Sequence, residues 1–278
     1  MRIIRLLAIL TLAAAAAWPQ SYPSAWNYAN PDATVLIGFD WTRLQQSPFG
    51  AMAKQRIGAN QSGLGMPGLT ALTRLNQVLL TLDIATDVTS RSKPPFLLIL
   101  NGDFDLPALR KVASSKGLTP ATYHSVLVMT EPPKRGEKSS SMALVGQQIV
   151  LFGDHKSVLQ AIDRNAPGEV RVFSPAFARA AKLAETHDVW IVAHNLLNQL
   201  AGHAGGPLQI GHDVTGLEAG LSFHDGVDAE AELTASTGDA AVKLVKMLEA
   251  LKPQLPGSFQ DFGVAANNNV VQLALTIN

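Results

Sequence analysis

The sequence predicts an α+β fold of two similar halves, each with the element order β-α-loop-β-β-α-β-β, with largely antiparallel sheets and helices packed on one face. Three observations predict it. Short apolar or alternating segments recur along the chain, separated by turn residues, as in strands joined by hairpins. Helix-start signals fall between them at Ser47-Pro48, Asp105 with Pro107, Asp154, Ser174-Pro175 and Asp239. The order of these signals in residues 32–170 then returns in residues 171–278.

The first half follows a turn-rich lead, residues 18–31, whose Tyr22, Trp26 and Tyr28 are expected to pack along the domain edge. Thr34 to Asp40 reads as a buried strand. Thr42 opens a helical pattern that Ser47-Pro48 starts again, with serine at the N-cap and proline at the first helical position. Ile57 to Thr70 is a glycine-rich loop, and Val78 to Asp83 and Phe96 to Leu100 are strands. Asp105 caps a helix that ends near Gly117, and Tyr123 to Thr130 reads as a single strand. Glu131 to Ser140 is a charged loop. Met142 to Val145 and Ile149 to Phe152 then pair around Gly146-Gln147-Gln148, and Asp154 caps a helix reaching Arg164.

In the second half Ser174-Pro175 starts a helix, Val189 to Ala193 is a strand, and Asn195 to Leu200 a short helix. Gly202 to Gly211 is a second glycine-rich loop. Leu217 to Phe223 and Val227 to Leu233 pair through His224-Asp225-Gly226, whose Asp-Gly step favours a tight hairpin turn. Asp239 caps a helix with Ala240, Leu244, Val245, Leu248 and Leu251 on one face. Phe259 to Ala265 and Val270 to Ile277 close the chain as a hairpin around Asn267-Asn268-Asn269, residues that tolerate the left-handed conformation.

The N-terminus has the three-part layout of a secretory signal peptide. Arg2 and Arg5 form a basic start, Leu6 to Ala17 is a twelve-residue apolar run, and Ala15 and Ala17 supply the small residues a signal peptidase needs. A bilayer span needs about 20 apolar residues, so no membrane span is expected once residues 1–17 are removed. The chain contains no cysteine, which excludes a lipid-modified cysteine, disulfides, thiolate metal sites and cysteine nucleophiles. Removing Arg2 and Arg5 leaves 20 basic residues against 22 acidic ones, a net charge of −2. That balance exerts no long-range pull on nucleic acid or anionic lipid.

The two halves also align locally. Val35 to Leu44 sits against Val189 to Asn198, and Asn101 to Leu109 against Ser236 to Leu244. Asn30-Pro31-Asp32-Ala33-Thr34-Val35, the Ser47-Pro48-Phe49-Gly50 step and Gly102-Asp103-Phe104-Asp105 ahead of a helix resemble uncharacterised secreted bacterial proteins with a duplicated α+β domain. The resemblance spans most of the chain beyond the signal. It implies a fold and carries no catalytic residue across.

The chemistry-bearing residues form no familiar constellation. Five of the seven histidines lie between His187 and His224, and three of them precede an aspartate: His187-Asp188, His212-Asp213 and His224-Asp225. Imidazole beside carboxylate suits a zinc site, but no pair has the spacing that brings two ligands together on a helix or strand. Gly63-Leu64-Gly65-Met66-Pro67-Gly68 matches G-x-G-x-x-G, yet it follows a helix rather than a strand and contains a proline. Ser222 lacks the flanking glycines of a nucleophile elbow. Lys134, Arg135 and Lys138 are interleaved with Glu131 and Glu137, as at a solvated loop tip.

What remains is positional. The two glycine-rich loops follow the first helix of each half, and long loops in compact domains often carry function. Gly63, Gly65 and Gly68 of one and His203, Gly205, Gly206 and His212 of the other are the candidate binding residues, expected on one mobile face lining a cleft or meeting a partner. The expected function is a non-catalytic binding or interaction protein, periplasmic or secreted, without cofactor or metal. Its partner is an unknown protein or small ligand of the cell envelope, not nucleic acid. The rival expectation is a cell-envelope hydrolase whose acids or histidines the sequence does not single out.

Overall fold

Strand alternation dominates what the chain builds. The computed structural model describes residues 22–52, 74–83, 94–132, 139–166, 171–194, 213–224, 226–254 and 259–277. Residues 1–17, the helix expected at Asn195 to Leu200, and the two glycine-rich segments lie outside the described residues.

A short 3-10 turn, Ser24–Tyr28, opens the fold. Strand β1 (Val35–Asp40) leads into α1 (Trp41–Leu44), capped by the Asp40 side chain accepting from Arg43 N–H at 2.9 Å. Strands β2 (Leu75–Leu82) and β3 (Phe96–Gly102) precede α2 (Leu106–Ser115), which Asp105 caps as expected. Then come β4 (Thr119–Tyr123), β5 (Val126–Thr130), β6 (Ser140–Val145), β7 (Ile149–Asp154) and α3 (His155–Arg164). Helix α4 (Pro175–Thr186) and strands β8 (Val189–His194), β9 (Val214–Ser222) and β10 (Val227–Ala235) follow. Helix α5 (Gly238–Leu251), β11 (Phe259–Asn267) and β12 (Val270–Ile277) complete it.

All the strands belong to one 12-stranded sheet in the order β11-β12-β10-β9-β8-β1-β2-β3-β7-β6-β5-β4, and every pairing is antiparallel. The pairing of β1 with β8 joins the halves, so the chain has one continuous sheet rather than one sheet in each half.

Two expectations are corrected. The segment Tyr123 to Thr130 is not one strand: His124 (φ 45°) and Ser125 (φ 64°) turn it back, so β4 and β5 form a hairpin. Neither residue is glycine or asparagine, which is why the turn carries no sequence signal. Among the described residues these added strands have no counterpart after α5. The helices also do not share one face. On the front, Leu36, Leu79, Ile99, Leu151, Trp190 and Val192 pack against the 3-10 turn, α3 and α4. On the back, Val78, Leu100, Leu144 and Val150 pack with Phe104, Leu106 and Leu109 at α2. Val271 and Leu233 likewise meet Ala240, Ala241 and Leu244 of α5 on the back. Alternation makes every strand two-sided, and in the central strands both sides are apolar enough to bury.

The lead is core rather than edge. Trp26 is buried, with its ring 5.6 Å from Trp190 and 5.9 Å from Phe177. Arg43 ties α1 to the second half by donating to the carbonyls of Ala184 (3.0 Å) and His187 (3.1 Å) at the end of α4. Among the described residues, no helix is long and apolar enough to cross a membrane.

Candidate functional site

The site begins in a strand whose alternation is unusually strict. In β10, Asp228, Glu230 and Glu232 project to one face and Ala229, Ala231 and Leu233 to the other. Register fixes which face. Glu230 stands opposite Gly220 and Glu232 opposite Glu218, and those β9 residues stand opposite Trp190 and Val192 of the front core. The carboxylates are therefore on the front. Helix α5 occupies the back of this region, so beyond α4 the front of β10, β12 and β11 forms the wall of an open groove.

The groove has a volume of about 1020 Å³. Helix α4 contributes Arg179, Lys182, Glu185 and Thr186, and the sheet contributes Glu218, Glu230, Glu232 and Thr234. Its floor is small. Ala274 and Gly263 continue the cross-strand row from Glu230, and Gln272 and Ala265 continue the row from Glu232. A Cβ placed on Gly263 would meet nothing within 4 Å, so the floor is open there.

Several of these charges are already engaged. Arg179 Nη1 donates to Glu218 Oε1 at 2.7 Å. Glu232 Oε1 accepts from Gln272 Nε2 at 2.9 Å. Burial depresses the His194 pKa from its ordinary value; the nearby Arg179 cation pushes the same way and Glu218 opposes it.

His187 sits at the end of α4, with its side chain only 10% exposed. Its Nδ1 lies 2.9 Å from Thr186 Oγ1 and 3.2 Å from the Leu183 carbonyl. The Thr186 hydroxyl donates to that same carbonyl at 3.4 Å, so both partners accept from the ring and the partner set assigns the proton to Nδ1. Nε2 lies 3.7 Å from Glu230 Oε2 at the groove.

The arrangement offers carboxylates, an imidazole, a guanidinium, the Lys182 ammonium and the hydroxyls of Thr186 and Thr234. A serine–histidine contact does exist elsewhere, with Ser141 Oγ 2.8 Å from His155 Nδ1 and 2.9 Å from Thr130 Oγ1. Ser141 is 0% exposed, however, and a nucleophile must reach its substrate. This trio links β5, β6 and α3. Ser222 is also occupied, donating to the Thr186 carbonyl at 3.2 Å.

Of the candidates drawn from sequence, Gly63, Gly65, Gly68, His203, Gly205, Gly206 and His212 all lie outside the described residues. Their points of attachment are described. One loop returns to the chain at β2, whose first residues pair beside Asp40. The other leaves β8 and enters β9 beside Val35, at the opposite end of β1. Among the described residues no three His, Asp or Glu side chains gather where they could hold a metal ion. Glu230, Glu232 and His187 are the residues that sequence reasoning passed over as a binding set. The period-two acids of β10 were the available signal.

No protein-family model matches the chain, and no curated protein matches it. Solved structures do. Crystal form III of TP0453 aligns with a TM-score of 0.59 and 13% identity, covering 92% of this chain and 95% of that one. Crystal form I of TP0453 aligns at 0.55 and 11%, covering 91% and 92%. At such identities the likeness is one of fold alone.

Proposed function

We propose that the chain is a non-catalytic binding protein of the bacterial cell envelope, exported by its first 17 residues, and that the front groove holds its ligand. The observation that carries this reading is the groove itself: about 1020 Å³, walled by polar groups from one helix and several strands over a floor of small side chains. Ligand sites are commonly concave, of up to about 1,000 Å³, with a few convergent polar groups. Export rests on the basic, apolar and small-residue order of the N-terminus. Mass spectrometry of the protein from the envelope fraction should give a chain starting near Trp18; an intact Met1 in the cytoplasm would refute it.

The test of the groove is a thermal-shift screen of the processed chain against metals, glycans, peptides, nucleotides, lipids and small cations, repeated with Ala274→Trp. Ala274 is exposed on the floor, so the indole fills the groove without entering the core. A ligand at a hundred times its Kd stabilises by about 2.7 kcal/mol, which shifts the melt by degrees. Hits that vanish in the variant support the groove; hits that persist place the ligand elsewhere.

The same reading takes the two halves as copies of one ancestral unit. Strand order supports this: β1-β2-β3 and β8-β9-β10 run outward from the shared seam, a back-face helix follows the third strand, and the half's last strand pairs with that third strand. Superposing β1–β3, α2 and β7 on β8–β10, α5 and β12 tests it. A fit no better than that of unrelated strand–helix units would end the idea.

A further inference from the structure

Resting on the reading that the groove is the binding site, we propose that its occupant is an α-helix of another protein, lying where α3 lies on the other side of the sheet. Counting outward from the β1–β8 seam, β3-β7-β6 hold on one side the places that β10-β12-β11 hold on the other. Helices α2 and α5 cover the backs of the two sides alike. The fronts differ. Helix α3 follows β7 and lies on the front of β7 and β6, beside the 3-10 turn. Its Val158, Ala161 and Ile162 form one cluster with Ala143 and Leu151, a cross-strand pair that is 0% exposed. On the other side Ala265 and Gln272 are the corresponding pair, each pair being the third from its hairpin turn, and both residues are exposed. Among the described residues no helix follows β12, and the groove is the space that a counterpart of α3 would fill.

Shape extends the fit. Helix α4 borders the groove as the 3-10 turn borders α3. Helix α3 has 10 residues. A helix of that length is about 15 Å long and about 10 Å across, and occupies about 1200 Å³. The groove has about 1020 Å³ and is open on its outer side, so such a helix would seat its inner face and leave the outer one in water. Gly263, Ala265 and Ala274 make a floor low enough for the side chains of that inner face. Chemistry then separates the occupant from α3. Leu97 and Ile99 of β3 face the α3 side, whereas β10 in the corresponding place presents Glu230 and Glu232. An apolar helix would strip these carboxylates of water without a partner, so the docking face carries lysine or arginine toward β10. Arg179 is already paired with Glu218 and leaves the β10 acids to the incoming cations. Exposed and hydrated when the groove is empty, they suit a separate chain that comes and goes.

The experiment is selection on the immobilised processed chain from two synthetic peptide libraries of equal composition, one of stapled α-helices and one of peptides held extended. Enriched peptides are then titrated against the parent, Ala274→Trp, and the double variant Glu230→Gln with Glu232→Gln, with each variant's melting temperature as a check on folding. Ala265→Trp fills the same floor and replaces Ala274→Trp if that variant melts early. Helices with basic residues one turn apart are expected to be enriched. The glutamine pair should weaken them about tenfold, and the indole should abolish binding with unchanged melting. Added salt should weaken them as well, and a proline at the centre of an enriched helix should end its binding. Extended peptides enriched over helices overturn the proposal, as do helices that bind all variants equally or a selection that enriches nothing. If no helix is enriched but a small ligand binds and is lost in Ala274→Trp, the helix is wrong and the groove stands. If no ligand of any class responds to Ala274→Trp, the groove reading itself falls.

Discussion

The imidazole of His187 occupies the space above Gly220 that a side chain there would need: a Cβ built on Gly220 would lie 2.2 Å from the ring carbon Cγ. This approach lets the ring settle between the end of α4 and strand β9 with Nε2 at the groove. Gly220→Ala should therefore cost about 1–3 kcal/mol, as overpacking does, and displace the ring. Chemical denaturation reads the cost. Stability equal to that of the parent would show that the ring is not held there.

Arg43 joins the halves in a way that can be measured. Its guanidinium caps two carbonyls at the end of α4, and its Nε lies 3.7 Å from Asp188 Oδ1, on a residue 1% exposed. Asp188 Oδ2 is satisfied by Phe223 N–H at 2.8 Å, but among the described residues Oδ1 accepts no hydrogen bond. Arg43→Ala should cost about 2–4 kcal/mol, because it opens the carbonyls and leaves a buried carboxylate without its cation. Asp188→Asn in the same chain should recover part of that loss. A double-mutant cycle with no coupling between the two would contradict the arrangement.

These two contacts also mark where sequence reasoning stops. The serine–proline starts at Ser47 and Ser174, the Asp105 cap and the asparagine turn before β12 are local chemistry, and the chain displays them. The turn at His124 and Ser125 is local too, but it uses residues that do not announce a positive φ. The acids of β10 alternate in plain view, yet their exposure depends on α5 covering the other face, which is a tertiary fact. The same holds for Gly38 and Gly220: each reads as a weak strand residue until Trp190 and His187 are seen packed where a Cβ would stand. The seam between β1 and β8 joins segments about half the chain apart, and no neighbouring turn specifies it.

The helix starts separate into two classes. Thr237, not Asp239, caps α5, its hydroxyl accepting from Ala240 N–H at 3.1 Å; Ser47 Oγ likewise accepts from Gly50 N–H at 3.0 Å. Alanine at either position should cost about 1 kcal/mol. Ser174 holds the same place on α4, but among the described residues its buried hydroxyl has no partner, while its N–H bonds the Pro31 carbonyl. Ser174→Ala should be neutral or slightly stabilising, since it removes a desolvated hydroxyl that gains nothing. Equal losses for Ser174→Ala and Thr237→Ala in urea titrations would show that the hydroxyl bonds after all.

His194 predicts how the second half responds to pH. Burial is the first cause of its lowered pKa, the Arg179 cation adds to it, and Glu218 acts in the opposite sense. The unfolded chain then takes up a proton near the ordinary value of 6.5, while the folded chain does so only at lower pH. Between those two points the unfolded state binds more protons, so stability must rise with pH across that window. Below the folded pKa this contribution no longer changes. The imidazole is only partly buried, and solvent screening keeps the effect small. Denaturation midpoints taken from pH 5 to pH 8 should accordingly climb through the histidine range, and His194→Gln should flatten that part of the profile. Arg179→Ala removes one of the two causes and should narrow the window without abolishing it. A His194→Gln profile that climbs more steeply than the parent's through 6.5 would reverse the sign assigned to this site, and one identical to the parent's would remove it.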